Sequence, residues 1–368
     1  MKLCLIILGI TAALAAPPGE YETIATDYHN AFGIPEAARI KAAEAAEDFD
    51  GSRIIGGSLA SSTQFPYMGG LVINLTNGRQ SVCGSALISA TRAVTAAHCW
   101  QTRQSQGRSL TIVLGSLRLF SGGTRVSSSN VIMHESYNMD NRRNDVAVIV
   151  LSNVGLNINI GVIDLASGSD QFVGSSASAV GFGRTSDSSS GDITTAQELR
   201  YVTLDVISND DCARVYGTYT VGSSTICVFT ESNRNICNGD TGGPLVVDKQ
   251  LVGIASFVAA SGCQQGLPAG FARVTSFNSW IRSHIYDSRF SNIITKYIAC
   301  SMYCLGEDFS EKWTTICDSC LISTNRAVTP VTQSLAKAVL WRLLSAASAF
   351  TQVVPESALR ISFTNPDY

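Results

Sequence analysis

Charge is sparse in this chain. Only 15% of its 368 residues are Asp, Glu, Lys or Arg, against about 25% in an ordinary soluble domain. The formal charge is -3 and no basic cluster stands out, so nothing favours nucleic acid or an acidic membrane as partner. Long apolar spans are missing as well. The best candidate, LAKAVLWRLLSAASAF at 335–350, is broken by Lys337 and Arg342. Histidine occurs only four times, at positions 29, 98, 134 and 284. There is no internal repeat and no long low-complexity tract, and residues 16–53 contain no cysteine.

What is present begins at the N-terminus. Met1-Lys2 precedes the apolar run LCLIILGITAALAA, which closes on Ala13-Leu14-Ala15. A short apolar core ending in a small-x-small pattern reads as a secretory signal peptide, residues 1–15, and predicts a secreted, extracellular protein. A membrane anchor would need a longer run. Secretion places the cysteines in an oxidising compartment. Of the 11, Cys4 leaves with the signal peptide; six lie between 83 and 263, and four at 300, 304, 317 and 320.

Three stretches follow from texture. Residues 16–53 read as a propeptide, with PEAARIKAAEAAEDFD opening a helix at Pro35, since proline fits a first helical turn; a plain linker is the alternative. Residues 54–288 alternate short Val/Ile/Leu runs with Gly/Ser/Asn clusters, the spacing of an all-β sandwich or barrel. Two helices interrupt them. SNDDCARVYG (208–217) starts on a capping candidate, Ser208 or Asn209. SFNSWIRSHIYDS (276–288) spaces Phe277, Trp280, Ile281 and Ile285 along one face. SDSSSGD (186–192) reads as a surface loop, and residues 289–368 form a cysteine-containing tail unlike the rest.

Three short stretches carry chemistry. VTAAHCW puts His98 after an apolar run; NRRNDVAVIVL puts Asp145 at the mouth of a buried-looking strand, where an unpaired charge would be costly. CNGDTGGPL surrounds one hydroxyl residue, Thr241, with three glycines and a proline. Such a loop turns backbone N–H groups toward one point, which an oxyanion needs.

Together RIIGG, TAAHC, NDVAV, CNGDTGGP and GFARV resemble the trypsin/chymotrypsin family of serine endopeptidases over about 54–288. GLPAGFARVTSF looks most like insect digestive chymotrypsin-like members. The resemblance implies two antiparallel β-barrels of the chymotrypsin type, split near 170, with a C-terminal helix. It implies that His98 is the general base, that Asp145 orients it, that Ser256 supports Asp145, and that the N–H groups of Gly239 and Thr241 form the oxyanion hole. Cutting at Arg53-Ile54 by a trypsin-like protease would free the Ile54 ammonium to pair with Asp240. The family's usual disulfides would be Cys83–Cys99, Cys212–Cys227 and Cys237–Cys263. The propeptide, lacking cysteine, would then be released. Asn235 would floor the specificity pocket, with Val258 and Ala269 in its walls. No acid there would receive Arg or Lys, so apolar side chains of small to medium size are expected, and benzamidine should not bind.

Thr241 departs from the family's serine. It keeps the hydroxyl and adds a β-methyl, which restricts χ1. A shift of about 1 Å costs on the order of 100-fold; losing the nucleophile outright costs about 10⁶. Two classes therefore stay open: a slowed endopeptidase acting on protein or peptide substrates, and a pseudo-protease that binds peptides or protease inhibitors without turnover. No cofactor and no metal is expected, and a monomer is the expected state. Cys300, Cys304, Cys317 and Cys320 have zinc-like spacing, but disulfides suit a secreted chain better. Asn74-Leu75-Thr76 is a glycosylation sequon in an expected loop. His134 and His284 read as surface residues without a role.

Overall fold

The computed structural model describes residues 21–45, 58–61, 63–184, 198–229 and 235–285. The signal peptide, Arg53 and Ile54, the 186–192 loop and the whole cysteine-containing tail lie outside the described residues.

After a π-helical turn at His29–Gly33, α1 spans Ile34–Ala45, with Pro35 in its first turn. The next elements are β1 (Ser58–Leu59), β2 (Met68–Leu75), β3 (Gln80–Ser89), β4 (Arg92–Thr95), β5 (Gly107–Leu114), β6 (Thr124–Ser128), β7 (Val131–Met133) and β8 (Ala147–Val150). Then come β9 (Asp164–Leu165), β10 (Ser176–Gly181), β11 (Arg200–Ile207), α2 (Asn209–Thr220), β12 (Thr225–Phe229), β13 (Pro244–Val247), β14 (Gln250–Phe257), β15 (Ala269–Arg273) and α3 (Val274–Ile285).

The strands sort into two sheets. In the C-terminal one, β11, β10, β13, β14, β15 and β12 follow in order, and β12 pairs back to β11, closing a six-stranded antiparallel barrel. Leu204, Ile226, Leu245, Val252 and Phe271 fill it. The N-terminal sheet runs β6-β5-β2-β3-β4-β8-β7. It curls into a half-barrel. Where β6 runs on toward β7, the Ser128 hydroxyl donates to the Val150 carbonyl of β8 at 2.6 Å and the Val150 N–H donates to the Asn130 carbonyl at 3.0 Å.

MGGLVINL is a continuous apolar run because β2 is covered on both faces. Leu71 and Ile73 face the sheet's own core, and Met68 and Val72 face Ala37 and Ile40 of α1. Ser208 caps α2, its hydroxyl accepting from the Asp211 N–H at 3.1 Å. On α3, Phe277 and Ile281 are buried in the N-terminal core, with Trp280 and Ile285 packed against it. The Arg92 guanidinium donates to the His284 carbonyl at 2.7 Å, closing the helix end. His134 is half-buried, its ring 5.3 Å from Phe277 and 5.0 Å from Trp280, and the Trp280 and His284 rings lie 4.5 Å apart at a 46° tilt. His134 thus helps to seat α3, while the His284 ring packs within its own helix. Ile281→Ala is expected to cost about 2–5 kcal/mol, because Ile281 is fully buried; denaturant unfolding monitored by tryptophan fluorescence checks this.

Asn74 is not in a loop. It lies in β2, where its amide donates to the Ser109 hydroxyl at 3.2 Å and accepts from Gln80 at 3.1 Å.

Candidate active site

Strand pairing brings the site together. Thr95 pairs with Ala147 across β4 and β8, so the turn carrying His98 folds back onto the residue just before β8, Asp145. The Asp145 carboxylate accepts from the His98 backbone N–H at 2.9 Å and lies 2.6 Å from its Nδ1. The Ser256 hydroxyl donates to the same carboxylate at 2.5 Å. Both Asp145 and His98 are fully buried.

Burial alone would raise the Asp145 pKa, but the imidazole and its hydrogen bonds outweigh it and hold the group low. Burial, with the Arg142 charge, pushes His98 below its ordinary value. The pair is therefore an ionised carboxylate against a neutral imidazole. Arg142 and Asn144, just before Asp145, both adopt left-handed backbone, φ 58° and 55°. Such strain clusters at functional sites.

A second pairing delivers Thr241. Pro244 pairs with Ile254, and Gly242 N–H donates to the Ala255 carbonyl at 2.8 Å, so the loop before β13 runs beside Ser256. The Gly84 N–H donates to the Thr241 carbonyl at 2.6 Å, tying this loop to β3. Gly239 sits at φ +102°, and a Cβ there would meet the Gly183 backbone at 2.8 Å and Glu36 at 3.1 Å. Disulfides join Cys83–Cys99, Cys212–Cys227 and Cys237–Cys263.

Asp240 accepts from the Gly183 N–H at 2.8 Å and the Cys237 N–H at 2.9 Å. Desolvation nevertheless pushes its pKa up to about 6 from 3.8. Between those values the folded chain holds a proton that the unfolded chain releases, so this group's contribution to stability falls as pH rises from 3.8 to about 6. Asp240→Asn should remove that dependence: relative to wild type, the variant's Tm gains as pH rises from 4 to 7. A difference that is constant with pH refutes the assignment.

Asn235 donates to the Cys263 and Leu267 carbonyls at 3.2 and 3.4 Å, while Val258 packs on the core that contains the buried Ala269.

The sequence did not single out Tyr28, His29, Glu36, Arg142 or Arg184. The Tyr28 ring lies 5.0 Å from the His98 ring at 72°, and its phenol is within hydrogen-bonding reach of the Thr241 hydroxyl. His98 Nε2 is buried without a hydrogen-bond partner among the described residues. His29 Nδ1 lies 2.8 Å from the Ser81 hydroxyl, and burial lowers its pKa to about 3. Glu36, fully buried, pairs with Arg39 and with Arg184 at 2.8 Å. Beside it a cavity of about 270 Å³ opens between Phe32, Arg184, Asn238 and Gly262. No group of metal-binding side chains occurs among the described residues.

Comparison with known proteins agrees with this geometry. Residues 54–281 match the Trypsin family. The chain belongs to that family. Collagenase of Hypoderma lineatum is 38% identical over 237 residues, 63% of this chain and 87% of that protein. Brachyurin of Leptuca pugilator is 37% identical over 234 residues, covering 62% and 97%. A solved structure of HL collagenase, also 38% identical, superposes with a TM-score of 0.57 over 62% of this chain and 97% of its own. This trypsin-family chain is thus a serine-protease homologue, with the closed barrel and curled sheet described above. No described helix is long and apolar enough to cross a membrane.

Proposed function

We propose that this trypsin-family chain is a secreted zymogen of a chymotrypsin-like endopeptidase, activated by a cut at Arg53-Ile54. The observation that carries the reading is the Asp145 carboxylate, which receives His98 through both its backbone and its ring and is itself held by Ser256. In this reading His98 takes the Thr241 hydroxyl proton as Oγ attacks the peptide carbonyl, then returns it to the leaving amine. Asp145 keeps the imidazole in the tautomer whose Nε2 accepts. The amides of Gly239 and Thr241 hold the oxyanion, and the new Ile54 ammonium pairs with Asp240.

The Thr241 methyl slows this step, because the rotamer that aims Oγ at His98 must also place the methyl in a packed site. Asn235, Val258 and Ala269 give the pocket no acidic group, so leucine-sized side chains are cut and arginine is not. The names of the relatives above favour turnover over the non-catalytic alternative. Hydrolysis of leucine- and arginine-containing chromogenic peptides by the cut chain, beside labelling of Thr241 by a fluorophosphonate, tests the reading. Neither cleavage nor labelling would make the protein a peptide- or inhibitor-binding pseudo-protease.

A further inference from the structure

Residues 22–45 occupy the site from end to end. At one end Ile24 bridges antiparallel to Ala259, on the chain continuing from β14, and the Ala260 N–H donates to the Thr23 carbonyl at 2.9 Å. The Arg142 guanidinium then donates to the Ala25 and Thr26 carbonyls at 2.9 and 3.1 Å. In the middle Tyr28 is 4% exposed, donates to the Val82 carbonyl at 2.8 Å, and lies against both His98 and Thr241. Its neighbour Gly33 passes so close to β3 that a Cβ there would meet the Ser81 hydroxyl at 2.0 Å. Further on, Glu36 reaches Arg184 and packs under Gly239. At the far end the Glu44 carboxylate accepts from the Leu119 and Phe120 N–H groups at 2.7 and 3.0 Å.

We propose that residues 22–45 are a built-in inhibitor that keeps its seat as a separate peptide after the cut at Arg53-Ile54, so that unmasking requires its departure as a second step. The proposal rests on reading residues 98, 145 and 241 as the hydrolytic site. The cut adds water across one amide bond, leaving an Arg53 carboxylate and an Ile54 ammonium. None of the contacts above involves residues near that bond. The lack of cysteine in the segment removes a covalent tether but not this non-covalent one. Tyr28 is the anchor, since no substrate can approach His98 Nε2 while the ring covers it.

The test uses the full chain cut at Arg53 alone, verified by mass. On native gel filtration the N-terminal fragment co-elutes with the body. A fluorescent synthetic peptide of residues 21–45 exchanges into the cut chain, read by anisotropy, and Tyr28→Ala or Gly33→Val in that peptide weakens it about 100-fold. In a cut chain that also carries T241S, activity per molecule rises at least about tenfold on dilution and falls again on adding the unlabelled peptide. Separation of the fragment on the first column pass, with the body still folded by near-UV circular dichroism, overturns the proposal. So does activity unaffected by dilution or peptide. If T241S shows no turnover at any dilution, the hydrolytic reading fails, and co-elution and anisotropy still decide whether the segment is retained.

Discussion

Replacing Thr241 by serine in the cut chain, freed of residues 21–45, raises kcat/KM for leucine-containing peptides by at least about 100-fold. The reason is local. The loop around position 241 is pinned by Gly84 N–H on one side and by the Gly242–Ala255 hydrogen bond on the other, so the backbone cannot shift to make room for a methyl. The adjustment falls on χ1, which β-branching restricts. The upper limit is about 10⁶, the cost of having no nucleophile. Progress curves for the two proteins at matched titrated concentration decide it. Equal rates would mean that the methyl is accommodated; no rate in either would mean that the site binds without cutting.

Asp145→Asn, introduced beside T241S, lowers kcat by about 10⁴. That magnitude is carried over from the family's serine template, where the same change was made. Its cause is visible in the contacts. The carboxylate serves the His98 backbone N–H, the His98 ring and the Ser256 hydroxyl at once. An amide can keep the first bond by its oxygen, but then turns an N–H toward Nδ1. The imidazole must accept there, so its proton moves to Nε2, the nitrogen that has to take the nucleophile's proton. Stopped assays at several pH values separate this from unfolding, provided that Tm is recorded for both proteins. A loss smaller than tenfold would remove Asp145 from the mechanism.

Much of the architecture was legible in the sequence, because short apolar runs with turn residues between them constrain a chain to antiparallel sheets. The mostly-β fold, the terminal helix and the family follow from runs such as DVAVIVL and from five spaced motifs. His98 and Asp145 were marked by the company they keep, and the structure sets them 2.6 Å apart. What stayed hidden depends on contacts between distant positions. Nothing in the letters around Tyr28 says that it meets Val82, 54 residues on. Asn74 read as loop because Asn and Thr favour turns, yet β2 extends through it. His134 read as surface because one ring in an exposed stretch carries no periodic signal; its partners are on α3, far along the chain. The curl of the N-terminal sheet depends on the short link between β6 and β7, which carries the chain from pairing with β5 to pairing with β8 and which alternation alone does not specify.

The contacts of α1 bear on what the protein would become if, as proposed, it sheds that helix. Ile40 and Ala37 share an apolar cluster with Met68, Val72, Val82, Leu119 and Phe182. Without the helix those side chains would meet water, and a greasy strip of that kind invites self-association. The liberated body would therefore be the stickier molecule of the two, and the stored form the one suited to keeping at high concentration.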